Sequence, residues 1–306
     1  MQKNRKTEVF SGAATALITP FRADGSVDYA AFSRVLDMQK AARVRAVVVN
    51  GTTGEASCLT SKERDKNVAF TVEKGNGVFT VIAGTGSNST ARAVELTRSA
   101  ARQGANAALV VLPYYNNPGE EGIVRHFYTV ADASPVPIIA YDVPSRTGIS
   151  LSPETAVKLA EHPNIVGLKE ADGSISKATA IRAACGDGLT LYSGCDGAIT
   201  PMLAIGGRGA ITVAGNLFPN MTRMICDAYF KGDFALSARY QLALRPIIAE
   251  LFAFVSPSPV KAAMAEFGII ENVLRLPLTA LRESECKKLF SLCDEAVEEE
   301  KKCALQ

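Results

Sequence analysis

The sequence predicts a (β/α)8 barrel followed by a purely helical segment. Eight short apolar runs recur between residues 14 and 214, and amphipathic helical patterns lie between them. The runs are continuous rather than alternating, which is typical of parallel strands that are covered on both faces. The alternation of strand and helix stops at about residue 233. We therefore expect a barrel over residues 1–232 and an α-helical domain over residues 233–306.

The eight predicted strands follow one another at fairly regular spacing. They cover residues 14–19, 45–50, 79–84, 107–112, 136–141, 164–169, 189–194 and 209–214. Eight strand–helix units of this kind are what a closed parallel barrel requires.

Capping residues mark the helices between these strands. The helix after the fifth strand has Ser152 as its N-cap and Pro153 in its first turn, and the helix after the sixth strand stops at Gly186. Beyond residue 233, three helical patterns follow without strands: "DFALSARYQLALRPIIAELFAF", "PVKAAMAEFG" and "SECKKLFSLCDEAVEEEKK". These helices are expected to pack on the barrel.

The alternative architecture is a doubly wound open sheet. That fold usually has a glycine-rich phosphate turn after its first strand, whereas the first strand here is followed by "TPFRADG". The chain also lacks a GxxxxGK[ST] motif, which disfavours nucleotide binding through a P-loop.

The composition limits the classes of partner. Thirty-three basic and 31 acidic residues leave a formal charge of +2, so the net charge gives no reason to expect nucleic acid or an anionic membrane as a partner. No apolar run is long enough to span a bilayer, and the amino terminus does not resemble a secretory signal. Seven cysteines without a CxxC pair fit a reducing compartment, so we expect a cytoplasmic protein.

The active site of such a barrel lies at the carboxyl ends of its strands. Five segments with reactive side chains follow predicted strands: "GTTGE" (51–55), "PYYNNP" (113–118), "YDVPSRTG" (141–148), Lys169, and "SGCDG" (193–197). Each of them alone is more often structural than catalytic. Their joint occurrence at one rim favours a catalytic site.

Lys169 is the candidate nucleophile, since it ends an apolar strand. Loss of hydration at a barrel mouth favours the neutral amine, which attacks a ketone or aldehyde to form a Schiff base. A phenol such as Tyr141 could transfer the protons that this step requires. Hydroxyls and N–H groups of the "GTTGE" loop could hold one carboxylate, and Arg146 could hold a second one bidentately. These groups suit chemistry on a 2-oxo acid.

Five motifs together resemble the dihydrodipicolinate synthases, a family of the pyruvate-dependent class I aldolase superfamily. They are "GTTGE", "PYYN", "YDVPSRTG", "GLKEADG" and "RLPLT", and the resemblance runs over essentially the whole chain. It implies a lyase that joins pyruvate to aspartate semialdehyde in lysine and diaminopimelate biosynthesis. It also implies that no metal or organic cofactor is needed, because the lysine supplies the electron sink. The alternatives are another pyruvate-dependent aldolase, of the sialic acid or sugar-acid type, and a barrel that binds without catalysis.

The resemblance also implies a role for each site residue. Lys169 would form the Schiff base, Tyr141 would exchange protons, and Thr52 would link Tyr141 to Tyr115 from a neighbouring subunit. Substrate binding would fall to Thr53, Arg146, Gly194 and the carbonyl of Ile211. The chain would then be a homo-oligomer, expected to be a tetramer built as a dimer of dimers.

Several residues depart from the family pattern. Asp142 stands where asparagine is common, and Cys195 stands where aspartate is frequent. Lysine-inhibited relatives bind lysine through a glutamate and a histidine, among others, and the matching positions here are Arg92 and Ser61. Because an arginine would repel the ammonium group of lysine, we expect weak or absent feedback by lysine.

Overall fold

The computed structural model describes residues 6–305 and shows a closed parallel barrel. Neighbouring strands pair in chain order, and the last strand pairs with the first. The strands are β1 Gly12–Ala16, β2 Ala46–Val49, β3 Thr80–Gly84, β4 Ala107–Val111, β5 Ile138–Asp142, β6 Ile165–Glu170, β7 Thr190–Ser193 and β8 Gly209–Thr212. The predicted fold class is confirmed.

Helices surround the barrel and continue beyond its last strand. Those up to β8 are α1 Tyr29–Ala41, α2 Ser61–Gly75, α3 Thr90–Arg102, α4 Gly119–Asp132, α5 Pro144–Thr147, α6 Pro153–Glu161, α7 Ile175–Cys185 and α8 Ile199–Ala204. Those after β8 are α9 Pro219–Phe230, α10 Phe234–Leu251, α11 Ser258–Glu266 and α12 Glu283–Ala304. Single 3₁₀ turns cover Ala56–Cys58, Gly186–Gly188, Asp196–Ala198 and Ala214–Asn216.

The predicted caps are present. The Ser152 side chain accepts a hydrogen bond from the amide of Thr155, and Pro153 is the first residue of α6. Gly186 is the C-cap of α7, at a φ of 55° that favours glycine. The capping residues in the sequence therefore correctly predict the start of α6 and the end of α7.

The first strand begins and ends earlier than predicted, since β1 ends at Ala16 rather than at residue 19. The amide of Ile18 donates to the side-chain oxygen of Asn216, at 3.1 Å, instead of continuing the ladder. Asn216 also donates to the carbonyl of Ala16, at 2.8 Å. The side chain of Asn216, which follows β8 in the sequence, therefore ends β1. The apolar residues Leu17 and Ile18, which follow β1, are buried in a hydrophobic cluster.

One hydrophobic cluster continues from the barrel into the carboxyl-terminal helices. It joins Leu17 and Val47 of the barrel region to Leu244 of α10, Met264 of α11 and Leu289 of α12, all buried. The division at residues 232 and 233 stays a prediction. Among residues 6–305, no helix has the length and apolar character that a membrane span requires.

Candidate active site

A cavity of about 690 Å³ opens at the carboxyl ends of the strands. The predicted site residues that line it are Thr52, Thr53, Tyr141, Arg146, Lys169 and Gly194. They come from segments that are far apart in sequence. They meet because parallel strands end at the same rim of a barrel.

Lys169 lies on β6, which is buried along its whole length. Its side chain is only 6% exposed, and its backbone lies in register between Tyr141 of β5 and Tyr192 of β7. The Nζ atom lies 4.2 Å from the centroid of the Tyr141 ring. The amine and the phenol that the sequence assigned to one reaction are therefore direct neighbours.

The "GTTGE" loop follows β2, and its residues Thr52 and Thr53 line the cavity. Within residues 6–305, the amides of Thr52 and Thr53 donate to no other protein group. The segment that follows β1 fixes the loop, because the Thr19 hydroxyl donates to the carbonyl of Gly54 at 2.7 Å. Two free amides and two hydroxyls on a fixed turn are suited to holding a small carboxylate.

Glu55, the last residue of that motif, anchors the loop to the carboxyl-terminal helices. Its carboxylate lies 2.6 Å from Nζ of Lys261 on α11, and both side chains are fully buried. Its other oxygen accepts from the amide of Arg275 at 3.0 Å. Glu55 and Lys261 therefore fix the position of the loop that carries Thr52 and Thr53.

Arg146 lies on the short helix α5, which follows β5 directly, and it is exposed at the mouth of the cavity. Its Nη2 atom donates to the carbonyl of Ser256 at 2.7 Å. The segment before Ser256 adds Phe252, Phe254 and Val255 to the cavity wall. Nothing in the sequence marked this wall, because it comes from the helical region without a recognisable motif.

Gly194 follows β7 and packs against the side chain of Lys169. A Cβ atom there would lie 2.8 Å from Cε of Lys169 and 2.6 Å from Cβ of Ala171, closer than such atoms approach in proteins. The absence of a side chain at residue 194 therefore leaves the space that the lysine occupies.

Asp196 is a site residue that the sequence reasoning missed. It is fully buried and accepts hydrogen bonds from the amides of Val213, at 3.0 Å, and Ala214, at 2.7 Å. Burial raises the pKa of its carboxyl to about 6, while these amides and the charge of Lys169 oppose the shift. The carboxylate in "SGCDG", directly after a predicted strand, was the signal that could have identified it.

Behind the lysine strand lies a charged cluster, in which Asp142 and Glu170 are buried and Lys177 is partly buried. Lys177 lies 2.5 Å from Asp142, 2.8 Å from Asp172 and 3.6 Å from Glu170. Burial raises the pKa of Glu170 to about 7. Because neighbouring residues of a strand point to opposite faces, Glu170 faces this cluster while Lys169 faces the barrel interior.

Two predicted residues do not line the cavity. Tyr115 is 92% exposed and has a φ of 73°. Its neighbour Tyr114 instead lines an adjoining cavity of about 360 Å³, which shares Thr52 and Tyr141 with the first. Ile211 is buried in the barrel interior, and Val213 is the residue after β8 that reaches the cavity wall.

The departures from the family pattern have clear positions. Cys195 lines the cavity, and burial raises the pKa of its thiol. The guanidinium of Arg92 donates to the hydroxyl of Ser61 at 2.6 Å, so the two altered positions contact each other. Arg92 also forms an ion pair with Glu95 at 2.6 Å.

The arrangement combines a buried amine, an adjacent phenol, a set of free amides and a guanidinium at the entrance. Such a set can bind a 2-oxo acid, form an imine with it and orient a second anionic substrate. It is the geometry of a Schiff-base site.

Comparisons with known proteins agree with this geometry. The family model described as the dihydrodipicolinate synthetase family matches residues 9–296. The 4-hydroxy-tetrahydrodipicolinate synthase of Exiguobacterium sibiricum is 45% identical over 277 residues, which are 90% of this chain and 94% of that protein.

Solved structures are similar over almost the whole chain. The chloride-inhibited dihydrodipicolinate synthase of Acinetobacter baumannii, in complex with pyruvate, has a TM-score of 0.92 at 37% identity and covers 94% of this chain and 98% of its own. A monomeric dihydrodipicolinate synthase variant has a TM-score of 0.92 at 37% identity, with 94% and 97% covered.

Proposed function

The chain belongs to the dihydrodipicolinate synthetase family, and from that premise we propose that it is a 4-hydroxy-tetrahydrodipicolinate synthase. It is a lyase of the class I aldolase type, and it condenses pyruvate with aspartate 4-semialdehyde in lysine and diaminopimelate biosynthesis. The observation that carries the proposal is the buried Lys169, whose Nζ atom lies 4.2 Å from the ring centroid of Tyr141.

The first half of the reaction captures pyruvate. The free amides of Thr52 and Thr53 hold its carboxylate, and Nζ of Lys169 attacks the keto carbon. Tyr141 protonates the departing hydroxyl, so that water leaves and an imine to the lysine remains. Loss of a proton from the methyl carbon then gives an enamine, in which the iminium nitrogen has accepted the electron pair.

The second half joins the two substrates. Arg146, held by the carbonyl of Ser256, binds the carboxylate of aspartate semialdehyde. The enamine carbon attacks the aldehyde and forms the new carbon–carbon bond. The amino group of the semialdehyde then attacks the imine carbon, closes the ring and releases Lys169 as the free amine.

Tyr115 supports assembly into a homo-oligomer. It is exposed and lies outside both cavities of its own chain, as expected for a residue that completes the site of a neighbouring copy. We expect a tetramer built from two dimers. A monomeric relative shows that assembly must be measured for this chain, by sedimentation velocity.

A subunit-mixing experiment tests the shared site. Lys169→Ala and Tyr115→Phe are each expected to be nearly inactive as pure proteins. If Tyr115 acts across the interface, a mixed dimer has one site with both native residues, so mixing the two inactive proteins restores activity. Mixing without any gain in activity, while hybrids are detected by mass spectrometry, would contradict the shared site.

Borohydride trapping tests the chemistry. Reduction in the presence of pyruvate should add the mass of a reduced pyruvyl group at Lys169 and inactivate the protein. Lys169→Ala should show no adduct, whereas Lys158→Ala, which removes an exposed amine on α6, should label normally. Absence of any adduct on the wild-type protein would exclude the Schiff-base class, including the non-synthase aldolases.

The second substrate distinguishes the synthase from other pyruvate aldolases. Turnover should be faster with aspartate semialdehyde than with sugar-acid aldehydes. Arg146→Gln should raise the KM for the semialdehyde far more than the KM for pyruvate. Turnover only with other aldehydes would overturn the synthase assignment while leaving the Schiff-base chemistry intact.

A further inference from the structure

A second large cavity lies at the end of the barrel opposite the active site. Its volume is about 960 Å³, and it lies against the amino-terminal ends of the strands. Five basic side chains line it: Arg43, Arg45, Arg208, Arg223 and Lys231. We call this feature the basic cavity. The proposed reaction uses none of these residues.

The barrel topology places two of the arginines on one rim. Arg208 directly precedes β8 and Arg45 directly precedes β2, and β1 lies between these strands. The amide of Gly12 donates to the carbonyl of Arg208 at 2.9 Å, and the amide of Arg45 donates to the carbonyl of Ala13 at 3.0 Å. The amide of Thr80 in turn donates to the carbonyl of Arg45 at 3.1 Å. The backbone under these side chains is therefore rigid.

Carboxylates neutralise only part of this charge. Asp227 pairs with Arg223 at 2.7 Å and lies 4.0 Å from Arg45. Arg208 pairs with Glu8 at 2.7 Å. Asp227 and Glu8 thus form ion pairs with three of the five cations, and within residues 6–305 Arg43 and Lys231 have no ion-pair partner.

Arg43 occupies a position where the turn itself favours glycine. Its φ is 55°, in the left-handed region that residues with a Cβ atom rarely adopt. The backbone conformation of the turn between α1 and β2 therefore does not favour an arginine there. Arg43 is exposed and forms part of the wall of the basic cavity.

We propose that the basic cavity binds an oligophosphate, either free or as the phosphate chain of a nucleotide. Guanidinium groups bind phosphate oxygens bidentately, and several of them on rigid strand ends can bind successive phosphoryl groups. The hydroxyl of Thr80 lies on the same wall and can donate to a remaining oxygen, whereas the Ser11 hydroxyl already donates to the carbonyl of Arg208 at 3.2 Å. Phe230 is 41% exposed beside Arg208 and offers a ring on which a base can stack.

Isothermal titration calorimetry at low salt tests the proposal, with tripolyphosphate and ATP as probes. Saturating pyruvate is included so that Lys169 in the catalytic cavity is occupied. We expect one site per chain for both probes, and tighter binding of ATP if its base stacks on Phe230. Arg43→Gly and Arg45→Gln should each weaken binding by about tenfold, as the loss of a charged hydrogen bond does.

The variants also provide their own controls. Arg43→Gly should keep its fold, because glycine adopts this backbone conformation without strain. Arg125→Gln, which removes a 79% exposed arginine on α4, should bind as the wild-type protein does. All three variants should keep normal turnover, so the outcome is independent of the proposed reaction.

A purely structural role for the arginines predicts a different result. The carboxyl-terminal ends of α1 and α9 carry partial negative charge, which arginines at this face could neutralise. In that case Arg43→Gly and Arg45→Gln would lower the melting temperature and neither probe would bind. Absent binding to the wild-type protein, or equal binding by wild type and both variants, overturns the proposal.

Discussion

Gly194→Ala should disable the reactive lysine without removing any functional group. The new Cβ would lie 2.6 Å from Cβ of Ala171, 2.8 Å from Cε of Lys169 and 3.0 Å from the carbonyl oxygen of Glu170. Carbon atoms in contact normally lie about 3.5–4.0 Å apart, so each carbon contact is short by roughly 1 Å. The Lys169 side chain can move away, but Ala171 Cβ and the carbonyl are fixed by the backbone, so the lysine must move and the backbone at residue 194 must shift as well.

The displacement of the Lys169 side chain determines how far the turnover rate falls. A misplacement of about 1 Å at a reacting group can lower the rate by about 100-fold, which is about 2.7 kcal/mol of activation free energy. Overpacking should also lower the free energy of unfolding by about 1–3 kcal/mol. The variant must therefore be assayed well below its melting temperature, as determined by circular dichroism.

The assay combines steady-state turnover with the rate of borohydride trapping by pyruvate. Both should fall together, because the lysine is needed for imine formation itself. Gly197→Ala is the matched control: Gly197 lines the same cavity, but the nearest atom to its Cβ would be Sγ of Cys195 at 4.0 Å. If Gly194→Ala keeps the turnover and trapping rates of Gly197→Ala, the packing argument around Lys169 is wrong.

Three further predictions follow from other contacts. Lys261→Met leaves the buried carboxylate of Glu55 without its ion-pair partner, so urea denaturation should show that the free energy of unfolding falls by about 3–5 kcal/mol. A decrease below about 1 kcal/mol, which is typical of an exposed pair, would contradict a tightly buried pair. The raised pKa of Glu170, about 7, means that the folded protein holds a proton that the unfolded chain has released, so stability should fall as pH rises from about 4.5 through 7. Glu170→Gln should flatten the melting temperature across that window, and an unchanged pH profile would contradict the assignment. L-Lysine should not inhibit at sub-millimolar concentration, because Arg92, bonded to Ser61 at 2.6 Å, would repel its ammonium group; inhibition in a steady-state assay would refute this.

The sequence was informative where local patterns determine structure. Continuous apolar runs identified the eight strands, and the barrel then placed Thr52, Tyr141 and Lys169 at one rim without further information. The limits of β1 were wrong because a side chain distant in sequence, Asn216, takes the amide that would have continued the ladder.

Long-range contacts were not predictable from one sequence. Glu55 and Lys261 are 206 residues apart, and the sequence around one of them does not predict a contact with the other. Arg146 was identified as a loop residue, but its short helix and its bond to Ser256 depend on the approach of the carboxyl-terminal segment. Asp196 was overlooked because only the fold reveals that the amides of Val213 and Ala214, which directly follow β8, donate to its carboxylate.

The Glu55–Lys261 pair also has a consequence for protein synthesis. A ribosome makes Glu55 long before it makes Lys261, and in the interval the carboxylate has no cation to accompany it into the interior. The nascent "GTTGE" loop should therefore stay hydrated until α11 has emerged from the exit tunnel. A chain released after residue 232 would carry all eight strands and Lys169, yet its "GTTGE" loop would lack the ion-pair partner of Glu55 that holds it in place. We therefore expect this loop to reach its final position only after the last quarter of the polypeptide has folded onto the barrel.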